Sequence, residues 1–110
     1  MLSSILLLSS LLAAASADLP PFLYSVDINQ QGNASTFSCL HSNQYGVVFV
    51  RVYKADEGGH LDSYAIENVQ KAYNAKLSVE VYVTLNATSR KAAADQVDEA
   101  LYALRNGGIN

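Results

Sequence analysis

Three apolar runs, rich in β-branched and aromatic residues, alternate along this chain with three helix-like segments. The runs are residues 24–29, 47–53 and 79–85. Strands that alternate with helical segments are typical of βαβ units, in which the strands lie parallel and helices cover the sheet. The first four residues of the middle run, 47–50, are apolar on both faces, as expected of a strand buried on both sides. We therefore predict an α/β fold with three βα units and parallel strands.

The helical segments show apolar residues at helical spacing. The first is predicted over residues 35–44, the second after an N-cap at Asp62, and the third over residues 89–106, ending at two glycines. The predicted core-facing residues are Phe37 and Leu40 in the first, Ala65, Ile66, Val69, Ala72 and Tyr73 in the second, and Ala93, Val97, Ala100, Leu101 and Leu104 in the third.

Residues 1–17 have the pattern of a secretory signal peptide. The stretch 5–15 is a run of Leu, Ala, Ser and Ile, and small residues at 15–17 offer a cleavage site, although the first four residues lack a basic side chain. The run is short for a bilayer span, so an uncleaved anchor is the weaker alternative. We predict that the mature chain begins at Asp18, forms one domain over residues 18–110, and reaches the extracellular space or the endolysosomal lumen without a membrane anchor.

Two sequons fit such a compartment. They begin at Asn33 and Asn86, both where loops are expected after strands, and both are candidate glycosylation sites. Cys39 is the only cysteine, so the chain has no internal disulfide. We expect Cys39 to be a buried small apolar residue, the alternative being a thiol whose partner lies on another molecule.

Charge and histidine spacing exclude several classes of function. The net charge is −3 and the seven Lys and Arg residues are scattered, whereas nucleic-acid binding requires a basic face. His41 and His60 do not have the spacing of metal ligands. We predict neither a nucleic-acid partner nor a metal or other cofactor, and the sequence leaves the oligomeric state open.

Asp27 is the main candidate for a functional residue. It stands among apolar neighbours near the carboxyl end of the first predicted strand. In (β/α) barrels the functional residues collect at that end of the strands, where the loops after the strands converge. The position predicts a catalytic or ligand-binding role for Asp27.

The order of these segments resembles the N-terminal half of lysozymes of glycoside hydrolase family 25, and most closely the secreted nematode-type lysozymes. The resemblance runs from residue 24 to residue 108, and it is carried by the residues at 24–29, 36–40, 48–53, 62–65 and 79–83. It implies a partial, TIM-like (β/α) barrel and bacterial cell-wall peptidoglycan as the substrate. It also implies that Asp27 matches the aspartate of the family's first strand.

The family's main catalytic pair is an Asp-x-Glu on the fourth strand, and no Asp-x-Glu occurs in these 110 residues. Glycoside hydrolysis requires one acid for the leaving oxygen and a second group at the anomeric carbon. We therefore expect a chain that stops before the catalytic strand and is inactive as written. Glu80, Tyr53 and Tyr82 are weaker candidates, as substrate-binding residues. The adjacent acids Asp56 and Glu57 lie in a glycine-rich loop and are weak candidates for a catalytic role.

Three interpretations remain open at this point. In the first interpretation, the chain is part of an active lysozyme that acts in innate defence or in the digestion of bacteria. Alternatively, it is a secreted protein that binds carbohydrate without cleaving it. A third interpretation is a structural interaction protein whose open sheet edge pairs with another chain.

Overall fold

The computed structural model of the protein describes residues 21–110, and the predicted signal peptide, residues 1–17, lies outside them. The described part is a mixed α/β domain. It contains a four-stranded open sheet and three α-helices, which lie against one face of the sheet.

The sheet is built around its second strand. Strand β2 (Tyr45–Lys54) lies between β1 (Tyr24–Ile28) and β4 (Ser78–Val83), and both neighbours run parallel to it. This confirms the predicted α/β class and the parallel order of the three long strands. The fourth strand was not predicted: β3 (His60–Leu61) pairs antiparallel with the carboxyl end of β2, beyond the end of β1. The described sheet is open, so it does not show a closed barrel.

Helices α1 (Ala34–Ser42), α2 (Ala65–Asn74) and α3 (Ala93–Asn106) cover the sheet. Alternate valines of β2 point toward them, because successive side chains of a strand face opposite sides. The core consists of two adjoining clusters: Phe37, Val48, Val50, Val69, Ala72 and Leu77 in one, and Val52, Tyr53, Ala65, Ala100 and Leu104 in the other.

The helix starts follow from local hydrogen bonding. Asn33 caps α1, since its side-chain oxygen accepts the backbone N–H of Thr36 at 2.8 Å while the Thr36 hydroxyl accepts the Asn33 N–H. Helix α2 starts at Ala65, so the prediction of an N-cap at Asp62 is wrong. The Asp62 carboxylate instead accepts the N–H of Tyr64, in a turn that precedes the helix. Helix α3 starts four residues later than predicted.

Four side chains that were expected in the core are exposed: Cys39, Tyr73, Ala93 and Leu101. Cys39 lies on the solvent side of α1, so its predicted burial is wrong. Tyr73, Ala93 and Leu101, assigned to the apolar stripes of α2 and α3, are also exposed, because the helices present only part of each stripe to the described sheet. Within residues 21–110, none of the helices has the length and apolar character needed to cross a bilayer.

Candidate functional site

Asp27 lies on the sheet face that no described helix covers. It pairs with Phe49 of β2, and Phe49 in turn pairs with Glu80 of β4. Directly paired residues of a sheet point to the same side, so the three side chains form one transverse row. Two strand spacings place the Cα atoms of Asp27 and Glu80 about 10 Å apart. The row therefore presents two carboxylates on either side of an aromatic ring.

A second row lies one step closer to the carboxyl ends of the strands. It contains Arg51 of β2 and Tyr82 of β4, which are paired in register. The Arg51 guanidinium contacts Asp62 at 2.9 Å and donates to the backbone oxygen of Asn29 at 3.0 Å. The Asp62 side chain is only 5 % exposed, so this ion pair joins the loops after β1 and β3 to the central strand.

The structure thus brings together three of the predicted site residues, Asp27, Glu80 and Tyr82. Within residues 21–110, neither acid forms an ion pair or a side-chain hydrogen bond, and the guanidinium of Arg51 is held by Asp62. The two carboxylates are exposed and free to accept hydrogen bonds. No group of three or more His, Cys, Asp or Glu side chains in the described residues is arranged to hold a metal ion.

Tyr53, the remaining predicted substrate-binding residue, lies on the helix side of the sheet. A register irregularity between Arg51 and Tyr53 changes the side to which the strand's last residues point. The Tyr53 side chain is completely buried, and its hydroxyl donates to Glu99 of α3 at 2.7 Å. Lys91 completes the cluster, with its Nζ 3.2 Å from the Tyr53 hydroxyl and 2.9 Å from Glu99.

The charges of this cluster reinforce each other. The hydrogen bond from Tyr53, followed by that from Lys91, holds the pKa of Glu99 below its ordinary value of 4.5. The hydrogen bond to Glu99 in turn raises the pKa of Lys91. Burial, and then the contact with Glu99, raises the pKa of Tyr53. These contacts connect β2 to α3, and they lie on the opposite side of the sheet from the row that contains Asp27.

Gln96 of α3 organises the loops at the carboxyl end of the sheet. Its side chain is completely buried, and its amide donates to the backbone oxygens of Asn86 and Lys91, each at 3.0 Å. Its oxygen accepts the N–H of Asn86 at 2.8 Å. The loop after β4 is therefore fixed to the start of α3 by one buried amide.

The two sequons differ in their surroundings. Asn33 is exposed, and its side-chain oxygen is occupied with capping α1. Asn86 is partly buried, and its side-chain nitrogen donates to the backbone oxygen of Ala55 at 2.6 Å. A glycan at Asn86 would have to be accommodated beside this contact between two loops. Glycosylation at either position stays a prediction.

A cavity of about 320 Å³ adjoins Asp27, and the loop between β1 and α1 forms its other walls. Asn68 of α2 supports this loop from below, since it accepts the N–H of Gly32 at 2.9 Å and donates to the backbone oxygen of Gln30 at 2.8 Å. A larger groove of about 1190 Å³ runs along β4 on the helix side, between α2 and α3. The walls of this groove are mainly apolar, whereas the smaller cavity adjoins the carboxylate of Asp27. The smaller cavity is therefore the better candidate for binding a polar ligand.

Sequence reasoning missed Phe49, Arg51, Asp62 and Gln96 as contributors to this region. Arg51 did give a signal: a cation within an otherwise apolar strand requires an acidic partner. The acids Asp56 and Glu57 do lie in the loop after β2, as expected from their position, and both are exposed.

The family model described as lysozyme-like protein 1 matches residues 18–110. The chain is similar to several proteins of Caenorhabditis elegans. Lysozyme-like protein 3 is 35 % identical over 91 residues, which cover 83 % of this chain and 30 % of the relative. Lysozyme-like protein 7 is 33 % identical over 88 residues, covering 80 % and 31 %. Lysozyme-like protein 1 is 31 % identical over 88 residues, covering 80 % and 30 %.

The matched part of this chain therefore spans somewhat under a third of the length of these relatives. No solved structure is significantly similar to the chain.

Proposed function

We propose, from the premise that this chain belongs to the family of lysozyme-like proteins, that its open sheet face binds the glycan strands of bacterial peptidoglycan. The observation that carries the proposal is the row formed by Asp27, Phe49 and Glu80, with Tyr82 beside it. Sugar hydroxyls donate hydrogen bonds, and both carboxylates are free acceptors. The ring of Phe49 between them offers an apolar surface for the C–H face of a sugar ring.

The finer proposal is that Asp27 belongs to the catalytic machinery of a muramidase of the glycoside hydrolase family 25 type, with the described strands as part of a (β/α) barrel. Three parallel strands in sequential order, each followed by a helix on one face, support it. In such a barrel the face that carries Asp27 would line the interior.

Binding without cleavage is the proposed activity of the 110-residue chain. Glycoside hydrolysis requires two carboxyl groups placed across the scissile bond. The Asp-x-Glu of the family is absent from the sequence, and Glu80 lies on a different strand from Asp27 with no hydrogen bond, in the described residues, that would set its proton. The proposed role of these residues by themselves is therefore glycan binding, and the proposed catalytic role of Asp27 requires a second acid that they do not supply.

A structural interaction protein is the second candidate, and the edge of β4 favours it. Val81 and Val83 of this strand and Leu101 of α3 are exposed hydrophobic residues, and the outer edge of β4 has no partner strand in the described residues. An exposed strand edge is a template for pairing with another chain. This candidate predicts a dimer or larger assembly in solution, which sedimentation velocity would detect.

Export remains part of the proposal, with a mature chain that starts at Asp18 and acts on bacteria outside the cytosol. The mass of the intact secreted protein tests it, since retention of the first 17 residues would contradict the cleavage.

Chemical-shift mapping with a soluble peptidoglycan fragment tests the binding proposal. We expect the amide signals of residues 25–29, 49–51 and 78–82 to shift in a saturable way. The outer surface of α3 provides the internal control and should not respond. Shifts confined to the helix layer, or no saturable shift at millimolar fragment, would contradict binding on the open face.

A further inference from the structure

The two sequons have different surroundings in the fold. The first begins at Asn33, directly before α1, and the second at Asn86, in the loop after β4. The atom that receives an N-linked glycan is the side-chain nitrogen Nδ2, where the bond to the sugar replaces one of the two hydrogens. The contacts of Nδ2 in the folded chain therefore determine whether each position accommodates a glycan.

Asn33 can carry a sugar on Nδ2 without losing a contact. The residue is exposed, as are Ala34 and Ser35 of the same sequon. Its side-chain oxygen accepts hydrogen bonds from the Ser35 hydroxyl at 2.6 Å, and from the N–H and the hydroxyl of Thr36 at 2.8 and 2.9 Å. Its Nδ2 donates no hydrogen bond within residues 21–110. A glycosylated asparagine keeps the oxygen as an acceptor, so the cap of α1 is retained.

Asn86 uses its Nδ2 atom in a contact between two loops. The residue is partly buried, and Nδ2 donates to the backbone oxygen of Ala55, in the loop after β2, at 2.6 Å. Its side-chain oxygen accepts from the N–H and the hydroxyl of Thr88 at 2.9 and 3.0 Å, which fixes the orientation of the amide. A sugar bonded to this nitrogen lies at the junction of the two loops and competes with the contact to Ala55.

The loops that meet at Asn86 are held together by further hydrogen bonds. The side chain of Gln96, which is completely buried, accepts the backbone N–H of Asn86 at 2.8 Å and donates to its backbone oxygen at 3.0 Å. The Ser89 hydroxyl donates to the backbone oxygen of Gly58 at 2.5 Å. Making room for a glycan at Asn86 by separating the loops would break these contacts as well.

We propose that Asn33 is the N-glycosylation site of the folded protein and that Asn86, despite its sequon, stays unmodified. The Nδ2 atom of Asn33 attacks C1 of a lipid diphosphate-linked oligosaccharide. The N–C1 bond forms, the bond from C1 to the diphosphate oxygen breaks, Nδ2 loses one proton, and the lipid diphosphate leaves. This proposal rests on the proposed export, which brings the chain to such a donor, and it is independent of glycan binding on the open sheet face.

Site mapping of protein secreted by animal cells tests this selectivity. Two forms are compared, the full chain and residues 18–110 behind a heterologous signal peptide. Enzymatic removal of N-glycans in heavy-oxygen water converts each glycosylated asparagine to a labelled aspartate, which peptide mass spectrometry locates. We expect the label at Asn33 and not at Asn86. Label at Asn86, or none at Asn33, in the second form would overturn the proposal, whereas failure of the full chain alone to be secreted would contradict only the export.

Two substitutions are matched controls, because each removes one sequon and leaves its asparagine in place. Ser35→Ala should abolish glycosylation, while Asn33 still caps α1 through the N–H of Thr36. Thr88→Ala should carry the same single glycan as the unmodified protein. A glycan retained in Ser35→Ala, or lost in Thr88→Ala, would contradict the assignment to Asn33.

A synthetic peptide of residues 83–91 separates the effect of the fold from that of the local sequence. In the peptide the Asn86 amide has no contact with Ala55. We therefore expect microsomal membranes to glycosylate the peptide and to leave Asn86 of the folded chain unmodified. A peptide that is not glycosylated would attribute the selectivity to the local sequence and would overturn the role given to the contact between the loops.

Discussion

Replacing Gln96 by alanine should destabilise the fold by about 3 kcal/mol. The buried amide of Gln96 makes three hydrogen bonds, two as donor and one as acceptor, to the backbones of Asn86 and Lys91. Each such bond contributes about 1 kcal/mol net, and alanine also leaves the Asn86 N–H without its partner. Domains of this size are stable by only about 5–15 kcal/mol, so the loss is a large fraction of the total.

Urea unfolding at equilibrium measures this effect, with the slope of the transition as a check that the two states stay comparable. Gln70→Ala is the matched control, because Gln70 is an exposed glutamine on α2 whose side chain forms a single hydrogen bond within residues 21–110, to the backbone oxygen of Gly107 at 3.2 Å. It should cost less than about 0.5 kcal/mol. If Gln96→Ala costs no more than Gln70→Ala, the reasoning that one buried amide fixes the loop after β4 is refuted.

Three further results are expected. Folding lowers the pKa of Glu99, so its hydrogen bond with Tyr53 stabilises the fold above about pH 4.5, and this stabilisation is lost as the pH falls further. The difference in free energy of unfolding between the unmodified protein and Tyr53→Phe should therefore decrease from pH 6 to pH 3, as measured by urea unfolding. Arg51→Gln should cost about 3 kcal/mol by the same assay, since it leaves the buried Asp62 unpaired, whereas Lys54→Gln, which breaks an exposed pair, should cost less than about 1 kcal/mol. The 110-residue chain should not lower the turbidity of a bacterial cell-wall suspension, and lysis that depends on Asp27 would contradict the argument from the missing Asp-x-Glu.

The parallel strands were predictable from the sequence because their signal is local. Runs of β-branched residues separated by helical segments identify βαβ units without any knowledge of the contacts. The same alternation places Asp27 and Glu80 on the side opposite the core valines, and the parallel order of the strands then puts the two acids in one row.

The contacts that hold the carboxyl end of the sheet were not predictable in this way. The irregularity at the end of β2 moves Tyr53 to the helix side, and simple alternation has no signal for it. Its partner Glu99 is 46 residues away in sequence. Gln96 was assigned to no apolar stripe because it is polar, yet it is completely buried, since backbone groups of a distant loop satisfy its amide. Strand β3 has only two residues, too few to show the alternation of apolar and polar residues by which a strand is recognised in a sequence.

The affinity of Asp27→Asn for a soluble peptidoglycan fragment, measured by calorimetry, tests the central claim most directly. The substitution preserves the shape of an exposed side chain and removes its charge, so the fold should be unaffected. Loss of charged hydrogen bonds to sugar hydroxyls should weaken binding about tenfold, and Asp98→Asn on the exposed side of α3 should leave it unchanged. Equal affinities for the fragment in the unmodified protein and in Asp27→Asn would contradict the assignment of the open sheet face as the glycan-binding site.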